Sequence, residues 1–131
     1  MSTEFRNARD STLSAMAEAY RASVKAIEKE CRVTIELQEV VYFPPSEFAP
    51  ELVGSVREAA RALGLSHRDI VSGAGHDAVH LSRVAPTAMI FVPCEGGISH
   101  NEIESATPED LAAGCNVLLH AVLARAGVAS Q

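Results

Sequence analysis

The spacing of apolar residues along this chain changes period several times, and each change predicts an element. Over residues 10–30, Leu13, Met16, Ala17, Tyr20, Val24 and Ile27 recur at steps of three and four with charged residues between them. That is the pattern of a helix with one buried stripe. Asp10 or Ser11 can cap its first turn, and Lys25, Lys29 and Arg32 lie toward the end where the helix dipole favours cations. At Val33 the period drops to two. Val33, Ile35 and Leu37 alternate with Thr34, Glu36 and Gln38, which predicts a half-buried strand to about Phe43, stopped by Pro44-Pro45. Glu4-Phe5-Arg6 reads like the end of an earlier strand, as though something upstream were missing.

Pro44-Pro45-Ser46 is the best candidate boundary, giving one portion over residues 1–45 and another over 46–131. A second helix is predicted over residues 51–63, with Leu52, Val53, Val56, Ala59, Ala60 and Leu63 on one stripe and Gly64 as its left-handed cap. Residues 65–75 read as a loop with a short strand at Ile70-Val71, and residues 75–84 as a third helix. Thr87 to Val92 is apolar at every position but its first, which predicts a strand buried on both faces. Thr107-Pro108-Glu109-Asp110 combines a cap, a proline at the first helical position and two acids. The helix it opens runs to about Ala126, with Leu111, Val117, Leu118, Ala121 and Val122 as its core and Gly127 as its stop. Strand–helix–strand followed by helices around an apolar strand predicts an α/β fold preceded by part of an α+β layer.

Composition narrows the function classes. With 131 residues, 47% of them apolar, the chain can bury a core, and global disorder is excluded. A net charge of −6 with no Lys/Arg run argues against nucleic acid, and no apolar run is long enough to span a membrane. The polar start MSTEFRNARD has no signal-peptide core. Cys31, Cys94 and Cys115 are odd in number and widely spaced, as expected of reduced cytoplasmic thiols.

The candidate chemistry gathers between Ser72 and Glu104. There, two glycine-containing loops each carry a histidine beside polar partners, with an apolar strand between them. His100, flanked by Ser99 and Asn101 and followed by Glu104, has the surroundings of a metal ligand; an exposed loop histidine is the plainer reading. His76 follows Ser72-Gly73-Ala74-Gly75 at a helix start, where backbone N–H groups favour anions. Asp77 can orient that imidazole or simply cap the helix. His76 and His80 stand four apart, one methylene from a zincin motif, but the aspartate is too short to serve as its base and no third ligand follows. Arg6 can clamp a carboxylate bidentately, against the default of a surface arginine. Cys94 reads as a small buried thiol rather than a nucleophile, and His67 and His120 as structural or surface residues.

SGAGHDA, PTAMIFVP, GGISHNEIE and TPEDLAAGCNVLL together resemble the C-terminal portion of the zinc-dependent amidohydrolases that include N-carbamoyl-L-amino-acid hydrolase, β-ureidopropionase and allantoate amidohydrolase, within the aminoacylase-type metallopeptidase clan. EFRNARDSTLSAM resembles the strand and helix of that family's small ferredoxin-like dimerisation (lid) domain. The resemblance implies that His100 is one ligand of a binuclear Zn²⁺ or Mn²⁺ centre. It implies that His76, with the backbone of Gly75, contacts the substrate and polarises its carbonyl, and that Arg6 binds the substrate carboxylate. Asn101, Glu104 and Asp77 would support these groups. It further implies a small carbamoyl or ureido substrate and a homodimeric assembly. The family's remaining ligands and its general base have no counterparts in this sequence, so the chain alone is expected to be catalytically incomplete. The other reading is a non-catalytic remnant that serves as an oligomerisation module.

Overall fold

The computed structural model describes residues 2–127. Their helices are α1 (Asp10–Cys31), α2 (Pro50–Ala62), α3 (Asp77–Leu81) and α4 (Pro108–Ala126), with a 3₁₀ turn at Glu95–Gly97. The chain divides into two compact units. The first takes Met1–Ser46 with Val71–Gly75, and the second takes Glu47–Ile70 with His76–Gln131. No helix among the described residues is long and apolar enough to cross a membrane.

In the first unit α1 covers the stripe its periodicity predicts. Leu13, Met16, Ala17 and Tyr20 are half-buried and Val24 is buried. Tyr20 stacks edge-on against Phe5, with ring centroids 5.4 Å apart. The stripe then departs from expectation, because Ile27 is exposed while Glu28 is half-buried. The Glu28 carboxylate accepts the Ile35 N–H at 2.8 Å, so a polar side chain takes the position next to the extended segment. Neither Asp10 nor Ser11 caps the helix: the N-cap is Arg9, whose N–H donates to the Asn7 side chain at 2.9 Å. Asp10 instead accepts the Tyr42 hydroxyl, and this hydrogen bond to the carboxylate holds the phenol above its ordinary pKa.

The segment after α1 runs back along it. Ile35 is tied to Glu28, Glu39 to Arg21 at 2.6 Å, and Tyr42 to Asp10, so rising numbers on the segment meet falling numbers on the helix. The alternation predicts a strand here, but none forms among the described residues. The expected α/β sheet is therefore absent among the described residues: residues 33–43, Ile70-Val71 and Thr87 to Val92 have no ladder. An extended segment becomes a strand only when a neighbour accepts and donates its backbone hydrogen bonds. Here the Ile35 N–H goes to the Glu28 side chain, and Val33, Leu37 and Phe43 remain exposed.

The second unit is built on α2 and α4. Ala59, Ala60, Val117 and Ala121 are buried where they meet, and Val56, Leu63, Leu65 and Ile90 pack around them. Small side chains at the contact let two backbones approach closely. Pro50 opens α2, and Gly64, at φ +69°, closes it. The Leu65 N–H then returns to the Ala60 carbonyl at 2.9 Å, the outer bond of a Schellman closure. Thr107 caps α4 as predicted: its hydroxyl oxygen accepts the Asp110 N–H at 3.1 Å and donates to the Asp110 carboxylate at 2.7 Å. Helix α3 is shorter than the predicted residues 75–84, since after Leu81 the chain closes in turns, with Ala85 N–H on the Leu81 carbonyl at 2.9 Å.

The segment from Thr87 to Val92 lies against this helix pair. The Thr87 carbonyl accepts the Ala49 N–H at 2.9 Å, just ahead of α2. At its other end Val92 meets α4 at Gly114, where an added Cβ would lie 2.5 Å from the valine methyl. Gly114 is thus required by close approach, at a cost in helix propensity. Between α2, α4 and this segment runs an apolar groove of about 550 Å³, whose lining includes Leu52, Ile90, Leu111, Leu118 and Val122. Leu111, Leu118 and Val122, expected in the core, are its exposed walls.

Candidate functional site

The loop that follows this segment carries His100, and it is strapped twice. At its neck the Glu95 N–H donates to the Ser105 carbonyl at 2.7 Å, and the Ser105 hydroxyl donates to the Glu95 carboxylate at 3.0 Å. Inside the neck, the 3₁₀ turn folds back through Gly97 N–H to Cys94 O at 2.9 Å, with Gly96 at φ 62° and Gly97 at φ 69°. Beyond it the Asn101 side chain accepts the Ile103 N–H at 3.1 Å, and the Asn101 carbonyl accepts the Glu104 N–H at 3.0 Å. One Glu104 oxygen accepts the His100 N–H at 2.8 Å, and the other accepts the Cys94 thiol at 3.8 Å. Four residues named from the sequence, Cys94, His100, Asn101 and Glu104, therefore share one hydrogen-bonded loop.

His100 itself is exposed and sits at φ 56°, in the left-handed region that non-glycine residues avoid. Glu104, expected as a partner of the imidazole, is instead bonded to the histidine's main chain. Asn101 likewise serves the loop backbone through its side-chain oxygen.

His76 is the N-cap of α3, half-buried, with extended backbone at φ −137°. Its ring meets Phe91 edge-on at a centroid distance of 5.4 Å. Asp77 is the first residue of α3 and makes no side-chain cap there. His80 is exposed in the last turn of the same helix. Among the described residues no three His, Cys, Asp or Glu side chains are grouped to hold a metal, so neither the His76–His80 pair nor His100 makes a complete site.

Arg6 belongs to the first unit and is already engaged there. Its Nε donates to the Glu4 carboxylate at 2.7 Å, and its Nη1 donates to the Gly73 carbonyl at 2.5 Å. Gly73 lies directly under the arginine stem, since a Cβ there would meet Arg6 Cδ at 3.7 Å. Gly75 is exposed, and a Cβ added to it would meet nothing. The ion pair drives the Glu4 carboxyl below its ordinary pKa and the Arg6 guanidinium above its own, the hydrogen bond contributing most in each case. At 59% and 67% exposure the pair is solvated, and a competing carboxylate can displace Glu4. Sequence reasoning missed Glu4. The available signal was its position two residues before Arg6, which puts both side chains on one face of an extended segment. It also missed the Glu95–Ser105 neck, which no local spacing rule announces.

Compared with known proteins, residues 7–124 match Peptidase family M20/M25/M40. An N-carbamoyl-L-amino-acid amidohydrolase of Rhizobium meliloti is 44% identical over 125 residues, which is 95% of this chain and 30% of that protein. A ureidoglycolate hydrolase of Arabidopsis thaliana is 38% identical over 97 residues, covering 73% of this chain and 20% of that protein. Among solved structures, a hydantoinase/carbamoylase family amidase from Burkholderia ambifaria superposes with a TM-score of 0.86 at 40% identity, over 95% of this chain and 29% of that one. The chain thus spans 20% to 30% of the length of these relatives. The resemblance drawn from SGAGHDA, GGISHNEIE and TPEDLAAGCNVLL is borne out.

Proposed function

The chain belongs to peptidase family M20/M25/M40, and from that premise we propose that it serves the metal-dependent hydrolysis of a carbamoyl or ureido C–N bond in a small N-carbamoyl amino acid or ureido acid. The observation that carries this reading is the doubly strapped loop holding His100, within a stretch 44% identical to an N-carbamoyl-L-amino-acid amidohydrolase. On this reading His100 is a metal ligand, with Zn²⁺ or Mn²⁺ as the ion. His76 and the Gly75 backbone bind the substrate and polarise its carbonyl, and Arg6 receives its carboxylate once Glu4 yields. Asn101, Glu104 and Asp77 hold these groups in place. The described residues do not fit a complete metal centre, because no three ligands are grouped. The chain alone is therefore expected to be inactive, and the remaining ligands come from protein outside the described residues.

The reading keeps residues 1–45 as part of a dimerisation lid and residues 46–131 as part of a catalytic domain, in a cytoplasmic homodimer consistent with three free thiols. The apolar groove beside α4 favours a second reading, a non-catalytic interaction module.

The experiment is a chimera in which this chain replaces the matching 125 residues of the Rhizobium meliloti amidohydrolase, assayed for ammonia release from N-carbamoyl-L-amino acids. The chimera should turn over. His100→Ala should lower activity by more than the roughly 10–100-fold cost of losing an outer-shell partner. Arg6→Ala should raise KM on the order of tenfold or more, with a smaller effect on kcat. A folded, metal-loaded chimera whose activity ignores His100→Ala sinks the proposal.

A further inference from the structure

Two non-glycine residues in the described chain have positive φ, and they are held differently. Arg32, at φ 55°, is the C-cap of α1, and its own N–H returns to the Glu28 carbonyl as helix caps do. His100, at φ 56°, caps no helix, since the 3₁₀ turn before it is closed by Ile98. Its N–H is taken by a carboxylate instead, Glu104 Oε2 at 2.8 Å.

We propose that Glu104 is a positioning residue that holds His100 in its left-handed conformation through the main chain, and so fixes where the loop presents the imidazole. Left-handed backbone costs a histidine on the order of tenfold in population, and one charged hydrogen bond to its N–H offsets that much or more. The other oxygen of the same carboxylate, Oε1, takes the Cys94 thiol at the neck, while the main chain of Glu104 is held by its N–H to the Asn101 carbonyl at 3.0 Å. Glu104 therefore ties the neck to the residue that carries the imidazole. An ionised carboxylate is suited to this because it offers acceptors only, one oxygen to each donor. Glutamine keeps one acceptor oxygen, and alanine keeps none. The importance of this arrangement for catalysis rests on His100 being a ligand, but the main-chain geometry does not.

The test is amide hydrogen exchange, read by NMR at His100 and at Glu95, whose N–H closes the neck. It compares the full chain with Glu104→Gln and Glu104→Ala, each with His or Gly at position 100. With histidine at 100, Glu104→Ala should speed exchange at both amides by about tenfold, and Glu104→Gln should recover a good part of the protection. Glycine adopts positive φ without penalty, so in the His100→Gly background the same Glu104→Ala change should speed Glu95 exchange by only about threefold. Equal acceleration in both backgrounds, or none in either, overturns the proposal. A Zn²⁺ titration followed at the His100 imidazole addresses the ligand reading by itself: silence there, with the exchange pattern intact, removes the ligand and leaves the clamp.

Discussion

In the second unit two helices bury alanines and a valine against each other, whereas in the first unit one helix meets only segments without secondary structure among the described residues. Both units obey the sequence pattern, but only one gains a core from it. Helices satisfy their own backbone, so α2 and α4 need only matching apolar faces, and Ala59, Ala60, Val117 and Ala121 supply them. The segment beside α1 must find hydrogen-bond partners residue by residue. One backbone group, the Ile35 N–H, finds Glu28, while Glu39 and Tyr42 reach Arg21 and Asp10 through their side chains, and Val24 is the one buried residue in the described part of that unit. Side-chain ties at a solvated surface are worth little each.

The comparison breaks first at Val117. Val117→Asp places an unpaired charge in the α2–α4 contact and should cost on the order of 3–5 kcal/mol, enough to unfold the second unit. Helical protection in residues 108–126 should vanish in hydrogen exchange while that of α1 persists. Simultaneous loss of α1 protection would show that the units do not stand apart.

A finer probe is Gly114→Ala. Helix propensity alone makes this change favourable by about 1 kcal/mol. The new methyl, however, would lie 2.5 Å from Val92, so the segment from Thr87 to Val92 must shift. A net loss of roughly 1–3 kcal/mol is expected in thermal unfolding. A rise in melting temperature would mean that the segment is not held against α4.

The smallest effect is electrostatic and compares like with like. Glu4 is paired to Arg6 in the first unit and Asp69 to Arg57 in the second, at 2.7 Å in both cases. Each carboxyl is held below its ordinary pKa, chiefly by the hydrogen bond from its arginine. Each tie is therefore fully present above the unfolded carboxyl's pKa, and is lost as pH falls through the lowered folded value. Glu4→Gln and Asp69→Asn should each lower the plateau near neutrality slightly and flatten the shallow acid limb by the same amount, leaving stability at low pH unchanged. An unchanged acid limb in both variants would show the pairs to be thermodynamically silent.

These contrasts also mark what could be read from the residues beforehand. Helices α1, α2 and α4 were legible from their period, most fully α4, where the cap at Thr107-Pro108 and the stop at Gly127 agree with it. Residues 33–43 and 87–92 were read as strands and form none among the described residues, because a strand is a relation between two segments and periodicity describes only one. In the candidate site, the spacing of His100 and Glu104 announced an association but not its chemistry. A four-residue gap cannot distinguish a carboxylate bonded to an imidazole from one bonded to an amide. The Arg6–Glu4 pair shows the same limit: the arginine was conspicuous, and the competitor already on it was not.

The segment from Thr87 to Val92 has a consequence for the chain as a material. It is a β-branched, apolar run whose backbone carries no ladder among the described residues, and Phe91 is exposed within it. Such a run is a template for its own kind, able to stack copy upon copy in register. Unladdered backbone therefore lies next to the candidate chemistry, where another strand could pair with it.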